Sequence, residues 1–122
     1  MSSAVAPSEP EQPASHPVAE LDDVVHQRTR LGLLVVLREV QQADFSYLKA
    51  RLKLTDGNLG QHLEILARSQ LVTITKGYEG KRARTWAAIT KAGEAALAAE
   101  VRTLRSLLIL ADVDDQPAAA HG

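Results

Sequence analysis

The chain has 122 residues, 45% of them apolar and only 3% aromatic, which allows one small domain with tails and a modest core. It contains no cysteine, which excludes disulfides, thiol redox sensing and thiolate metal sites within this chain. The net charge of −1 hides a segregation: all 14 Lys and Arg lie between Arg28 and Arg105, a window with seven acids and therefore a charge of +7. A basic middle flanked by acidic ends is the electrostatic pattern of a polyanion binder, although many soluble domains carry such a surplus. No run approaches the length of a membrane span. The N-terminus has neither the basic start nor the apolar core of a secretion signal, so no membrane association and a cytoplasmic location are expected.

Residues 1–19 contain Pro7, Pro10, Pro13 and Pro17 among Ser, Ala and Glu, and are expected to form a disordered tail. The structured domain is expected over residues 20–110. Leu21 to Val25 suggests a short helical turn. From about Thr29 to Val40 the sequence is rich in Leu and Val. Leu31, Leu34 and Val35 define one face of a helix, and Leu33, Val36 and Val40 define another. Such a helix is buried on two sides, one against the core and the other against a second subunit.

Gln41 to Asp44 reads as a polar break and Phe45-Ser46 as a short extended piece. Tyr47 to Leu52 is a short helix, with Leu48 and Leu52 inward and Lys49, Arg51 and Lys53 outward. Thr55 is a good N-cap. Leu59, Leu63 and Leu66 then recur at i, i+4 and i+7, one apolar stripe on a longer helix. Gly57, Asn58, Gln61, Glu64 and Arg68 occupy its other side. A short helix, a tight turn and a longer helix with a polar outer face form a helix-turn-helix pattern. Asn and Gln can pair bidentately with an adenine edge, and small first-turn residues let the backbone approach a phosphate. An exposed amide face taken alone equally describes a solvated helix surface.

After Leu71 the period becomes two. Val72 and Ile74 alternate with Thr73 and Thr75 as in a half-buried strand, and Thr85 to Ile89 reads as its return. Lys76 to Arg84 between them reads as a long turn, with Lys81, Arg82 and Arg84 at its tip. Tyr78 and Trp86 are expected to pack the hairpin. Thr90 caps a last helix running from Lys91 to about Leu110. On that helix Leu97, Val101, Leu104 and Leu108 follow heptad spacing and suggest a partner helix. Residues 111–122 are acidic and then Pro-Ala-rich, and are expected to be a second disordered tail.

With these elements in place, about Leu21 to Leu108 resembles the winged helix-turn-helix transcriptional regulators of the MarR/ArsR group. Three segments carry the resemblance: Arg30 to Leu37, Leu54 to Leu66, and Gly77 to Gly93. It implies a mainly α fold with a small β-hairpin (α+β) and a C-terminal dimerisation helix. It also implies a homodimer on a pseudo-palindromic duplex operator, acting as a repressor in this reading. Transferred residue by residue, Thr55, Gly57, Asn58, Gln61 and His62 would face DNA from the recognition helix. Lys76, Lys81, Arg82 and Arg84 would act from the wing, and Ser46 and Lys49 would meet phosphates from the preceding helix. His62 sits beside the apolar stripe, so packing is its other reading. Leu33, Val36, Leu97, Val101, Leu104 and Leu108 would line the dimer seam. A small-molecule effector is compatible with the group, but no residue pattern demands one.

No cofactor is expected. The group's metal sensors use Cys or paired His and acid ligands, and the four histidines show no i, i+4 pairing. Neither a Walker-type glycine loop nor a Ser, His and acid arrangement stands out, so the chain does not read as an enzyme. The competing reading is a winged-helix module whose basic face binds an acidic protein.

Overall fold

A computed structural model describes residue 13 and residues 15–112. Four helices and three strands follow in order: α1 (Arg28–Val40), β1 (Gln42–Asp44), α2 (Phe45–Leu52), α3 (Asp56–Arg68), β2 (Val72–Glu79), β3 (Arg82–Ile89) and α4 (Lys91–Leu110). Each helix starts on a polar side chain that accepts from a first-turn amide: Gln27 for α1, Asp44 for α2, Thr55 for α3 and Thr90 for α4. A cap of this kind contributes about 1 kcal/mol. The first three helices each end on, or just before, a residue with positive φ: Gln41 (72°), Lys53 (55°) and Gln70 (65°). None is a glycine, so each is a small local cost accepted to turn the chain sharply.

The helix-turn-helix and the last helix lie where the residue spacing puts them, and the fold is the expected α+β arrangement. Two expectations about the sheet need correction. Gln42–Asp44 is not a polar break but a third strand, giving an antiparallel sheet of order β1-β3-β2. The helix α2 accordingly begins at Phe45 rather than Tyr47. The expected long turn from Lys76 to Arg84 is also absent. Both strands continue until Glu79 pairs with Arg82, leaving a two-residue turn of Gly80 and Lys81. Gly80 takes φ of 65°, a conformation that glycine supplies without strain at the first turn position of a tight hairpin. Polar, charged residues had obscured the strand because most of its length stands clear of the core.

Leucines of three helices make the centre: Leu33, Leu34 and Leu37 from α1, Leu48 from α2, and Leu59, Leu63 and Leu66 from α3, closed by Val25, Val72, Ala87 and Leu97. Each fully buried leucine contributes about 1.5–3 kcal/mol. The helix α1 is buried on two sides, as its pattern suggests, but by its own domain. Leu33 and Val36 are 0% and 5% exposed, so neither is available to a second chain. Val35 and Val40 are the apolar residues α1 leaves outside.

A short 3-10 turn, Pro17–Glu20, packs against α4, so regular structure occurs within the stretch expected to be a tail. Most of both expected tails lies outside the described residues. Along α4, Leu97 is buried and Val101 and Leu104 are half-buried, whereas Leu108, Ile109 and Leu110 are 52%, 78% and 59% exposed. The start of α4 is fixed against the end of α3. The Thr90 hydroxyl lies 2.8 Å from the Gln70 carbonyl and 3.0 Å from that of Leu71, while accepting from the Gly93 amide at 2.9 Å. Gly93 is required here, because a Cβ on it would stand 2.2 Å from the Leu71 carbonyl oxygen. No helix among the described residues is long and apolar enough to cross a membrane.

Candidate nucleic-acid interface

The first turn of α3 presents Thr55, Gly57 and Asn58 to solvent, with Gln61 exposed one turn further on. The Thr55 hydroxyl caps this end of the helix, accepting from the Asn58 amide at 3.1 Å. A Cβ added at Gly57 or Gly60 would meet nothing within 4 Å. Apart from the capped Asn58 amide, the small residues leave room for an anion to approach the first turn. Opposite, Leu59, Leu63 and Leu66 bury the helix against the core.

The hairpin stands beside this helix. Val72, Ile74, Lys76 and Tyr78 alternate along one face of β2, opposite Ile89, Ala87, Thr85 and Ala83 of β3. Val72 and Ala87 bury the inner end of that face, and its outer part lines a groove with α3 formed by Phe45, Gly60, Leu63, Glu64, Ile74, Lys76 and Thr85. Lys76 thus faces the same groove as the recognition helix. Lys81 and Arg82 are exposed at the tip. Trp86 packs the hairpin as expected, with its ring against Gly77, whereas Tyr78 is 74% exposed beside the tip.

The basic residues divide by what already holds them. Among the described residues, Lys76, Lys81 and Arg82 make no ion pair. Arg84 does: its Nη1 donates to Asp44 Oδ2, and its Nε lies 2.8 Å from Glu79 Oε1 without the alignment of a hydrogen bond. Lys49 Nζ is 2.9 Å from Asp56 Oδ1, so it offsets the acid at the start of α3. That pair is exposed and worth at most about 1 kcal/mol, within reach of competition from a phosphate. Ser46 is exposed at the start of α2, beside Arg82 and Arg84.

His62 is placed differently from the other transferred residues. It is half-buried, and its Nδ1 lies 3.0 Å from Arg30 Nη1. The same guanidinium donates to the carbonyls of Val24 at 2.6 Å and Asp23 at 3.2 Å. Arg30 therefore ties the segment before α1 to the recognition helix, with His62 as the acceptor. Burial first, and then the Arg30 cation, push the His62 pKa below its ordinary value. Arg51 is likewise occupied, 3.0 Å from Glu39 and stacked over the Tyr47 ring. The Asp44 contact of Arg84 and the bracing role of Arg30 were not read from sequence, since they join residues 40 and 32 positions apart. No group of three or more potential metal ligands occurs among the described residues.

A short helix, a tight turn at Lys53, a second helix capped by Thr55 and a two-stranded flap beside it define a winged helix-turn-helix. The sequence profile of the winged helix DNA-binding domain matches residues 29–108, and the chain belongs to that family. It is 37% identical over 67 residues to the uncharacterized protein MJ0432 of Methanocaldococcus jannaschii, a match covering 55% of this chain and 73% of that one. In structure it is similar to a transcriptional regulator homologue protein from Pyrococcus horikoshii OT3, with a TM-score of 0.75 and 28% identity over 81% of this chain and all of the other. RV1404 from Mycobacterium tuberculosis shares the fold at a TM-score of 0.62 and 20% identity, over 88% of this chain and 72% of that one. The expected likeness to winged helix-turn-helix regulators is borne out.

Proposed function

We propose that this protein is a sequence-specific duplex-DNA-binding regulator of transcription, acting as a homodimeric repressor on a pseudo-palindromic operator. Each α3 enters a major groove and reads bases with Asn58 and Gln61, while Thr55 and Gly57 let the helix end approach a phosphate. Lys76, Lys81 and Arg82 follow the backbone or the adjacent minor groove. Ser46 and Lys49 meet phosphates from α2. The single observation that carries this reading is the groove between α3 and the hairpin. Its α3 wall is Gly60, Leu63 and Glu64, on the helix whose exposed start carries Asn58 and Gln61, and its hairpin wall bears Lys76; Lys81 and Arg82, like Lys76 outside any ion pair among the described residues, stand exposed at the hairpin tip. The Pyrococcus relative, named a transcriptional regulator homologue, agrees with it.

Two copies would join through the exposed end of α4, where Leu108, Ile109 and Leu110 lie open and Leu107 is half-buried. Leu33, Val36 and Leu97 hold the protomer together instead. The test is titration with random and genomic duplex at rising salt. A DNA binder loses affinity with a slope of about 0.9 per phosphate contacted. Selection of bound genomic fragments should then return a two-fold related sequence whose half-sites lie about one DNA turn apart. Asn58→Ala should relax preference at one base by roughly 1–3 kcal/mol. A winged helix that serves only to bind protein would ignore duplex even in dilute buffer.

A further inference from the structure

Arg84 lies within the basic stretch of the hairpin, yet its guanidinium is held from two sides. One carboxylate is Asp44, which does two jobs at once. Its Oδ1 accepts from the Tyr47 amide at 2.8 Å and so caps α2, and its Oδ2 takes Arg84 Nη1. The other is Glu79, near the tip of β2. Arg84 and Asp44 are 29% and 21% exposed, so this pair is far better shielded than the Lys49–Asp56 pair on the same side of the molecule. The triad joins the end of β1, whose Asp44 also caps the first helix of the helix-turn-helix, to both strands of the hairpin.

From this geometry we infer that Arg84 is a positioning residue that latches the wing to α2, rather than a contact to DNA. Asp44 is its essential partner. Towards its base the hairpin is held by Val72, Ala87 and Ile89, by the short β1 pairing and by contacts of β2 with α3 and of β3 with α1 and α2, whereas its tip is exposed. A two-stranded ribbon of this length is marginal by itself. The latch fixes the angle at which Lys76, Lys81 and Arg82 face the recognition helix. A phosphate reaching for Arg84 would have to compete with its hydrogen bond to Asp44 and with the nearby Glu79 carboxylate, whereas Lys76, Lys81 and Arg82 have no ion pair to give up. The inference rests on the DNA-binding reading for its affinity arm, but the latch itself has a readout that needs no DNA.

The variants are Asp44→Asn, which keeps a good helix cap and removes the ion pair, together with Arg84→Ala, the double variant, and Arg82→Ala as the contact control. Amide hydrogen exchange in the wing strands should quicken in Asp44→Asn and Arg84→Ala and stay unchanged in Arg82→Ala. Both latch variants should lose roughly tenfold in operator affinity, and the double variant should lose no more than either single one. Their salt slope should match that of the wild type, while Arg82→Ala lowers it by about one. The proposal is overturned if Arg84→Ala lowers the salt slope while Asp44→Asn binds as well as the wild type or better, since freeing Arg84 would then have released a phosphate contact. Unchanged exchange in the wing of both latch variants also overturns it. Wild-type protein that ignores DNA would refute the functional reading alone, and the exchange data would still decide the latch.

Discussion

His26 Nδ1 lies 2.5 Å from Oε2 of Glu100, joining the segment before α1 to the middle of α4 across 74 residues. The Glu100 side chain is almost wholly buried, and its second oxygen has no partner among the described residues. A buried carboxylate with one acceptor unpaired depends heavily on the contact it does make. His26→Ala should therefore cost about 1–3 kcal/mol, read as a lower urea midpoint at unchanged slope. Glu100→Met, which removes charge and orphan together at similar volume, should be close to neutral or stabilising. A larger loss for the methionine variant than for His26→Ala would mean that the carboxylate itself holds the helix.

The contact between Arg30 and His62 predicts a pH dependence. His62 is held below its ordinary pKa of 6.5, so on acidification the unfolded chain takes up a proton before the folded one does. The associated stability is complete above the unfolded value and is lost as pH falls from there towards the folded one. His62→Gln should lessen the drop in urea midpoint between about pH 7.5 and pH 5, other histidines titrating alike in both proteins. Equal drops in the two proteins would remove His62 from the account.

The glycines of α3 and α4 should respond in opposite directions. Gly60 lies inside a helix with open space around its missing Cβ, so Gly60→Ala should stabilise by about 0.5–1 kcal/mol. Gly57→Ala should also raise the unfolding midpoint yet weaken DNA binding, because its methyl lies where the backbone would meet a phosphate. Gly93→Ala forces carbon against a backbone carbonyl and should cost about 1–3 kcal/mol or more. Chemical unfolding of the three variants, with a DNA titration of Gly57→Ala, tests all of these.

The exposed end of α4 supplies the test of self-association. Leu108 and Ile109 make little of the protomer's core, so the double replacement Leu108→Glu/Ile109→Glu should change stability by less than about 0.5 kcal/mol. Sedimentation equilibrium should nevertheless show the mass fall from that of two chains to that of one. An unchanged mass would place the seam elsewhere. Leu97→Glu is no substitute, because Leu97 is 7% exposed and the variant would fail to fold.

Regular spacing made the helices legible. Leu59, Leu63 and Leu66 mark the recognition helix, Thr55 and Thr90 mark two helix starts, and α4 runs from Lys91 to Leu110 as its pattern indicates. What was hidden has a common physical cause. The outer half of the hairpin carries Lys76, Glu79 and Arg82, residues typical of a turn, because nothing packs over it. β1 is three residues long, and its middle residue Ala43 is too small to signal burial. Leu33 and Val36 looked like spare surface because a helix wrapped by its own domain has the same pattern as one shared between chains. Asp44 and Arg30 reveal their roles only when distant segments meet.

The Thr90 hydroxyl has one further consequence. It stands where the exit of α3 and the entry of α4 converge, and Gly93 lets the two come so near that no side chain separates them. The junction therefore behaves as a stiff elbow rather than a tether. In the proposed dimer, any swing of one C-terminal helix against the other would be delivered with little slack to the two α3 helices, and the distance between them would become a property of the elbow.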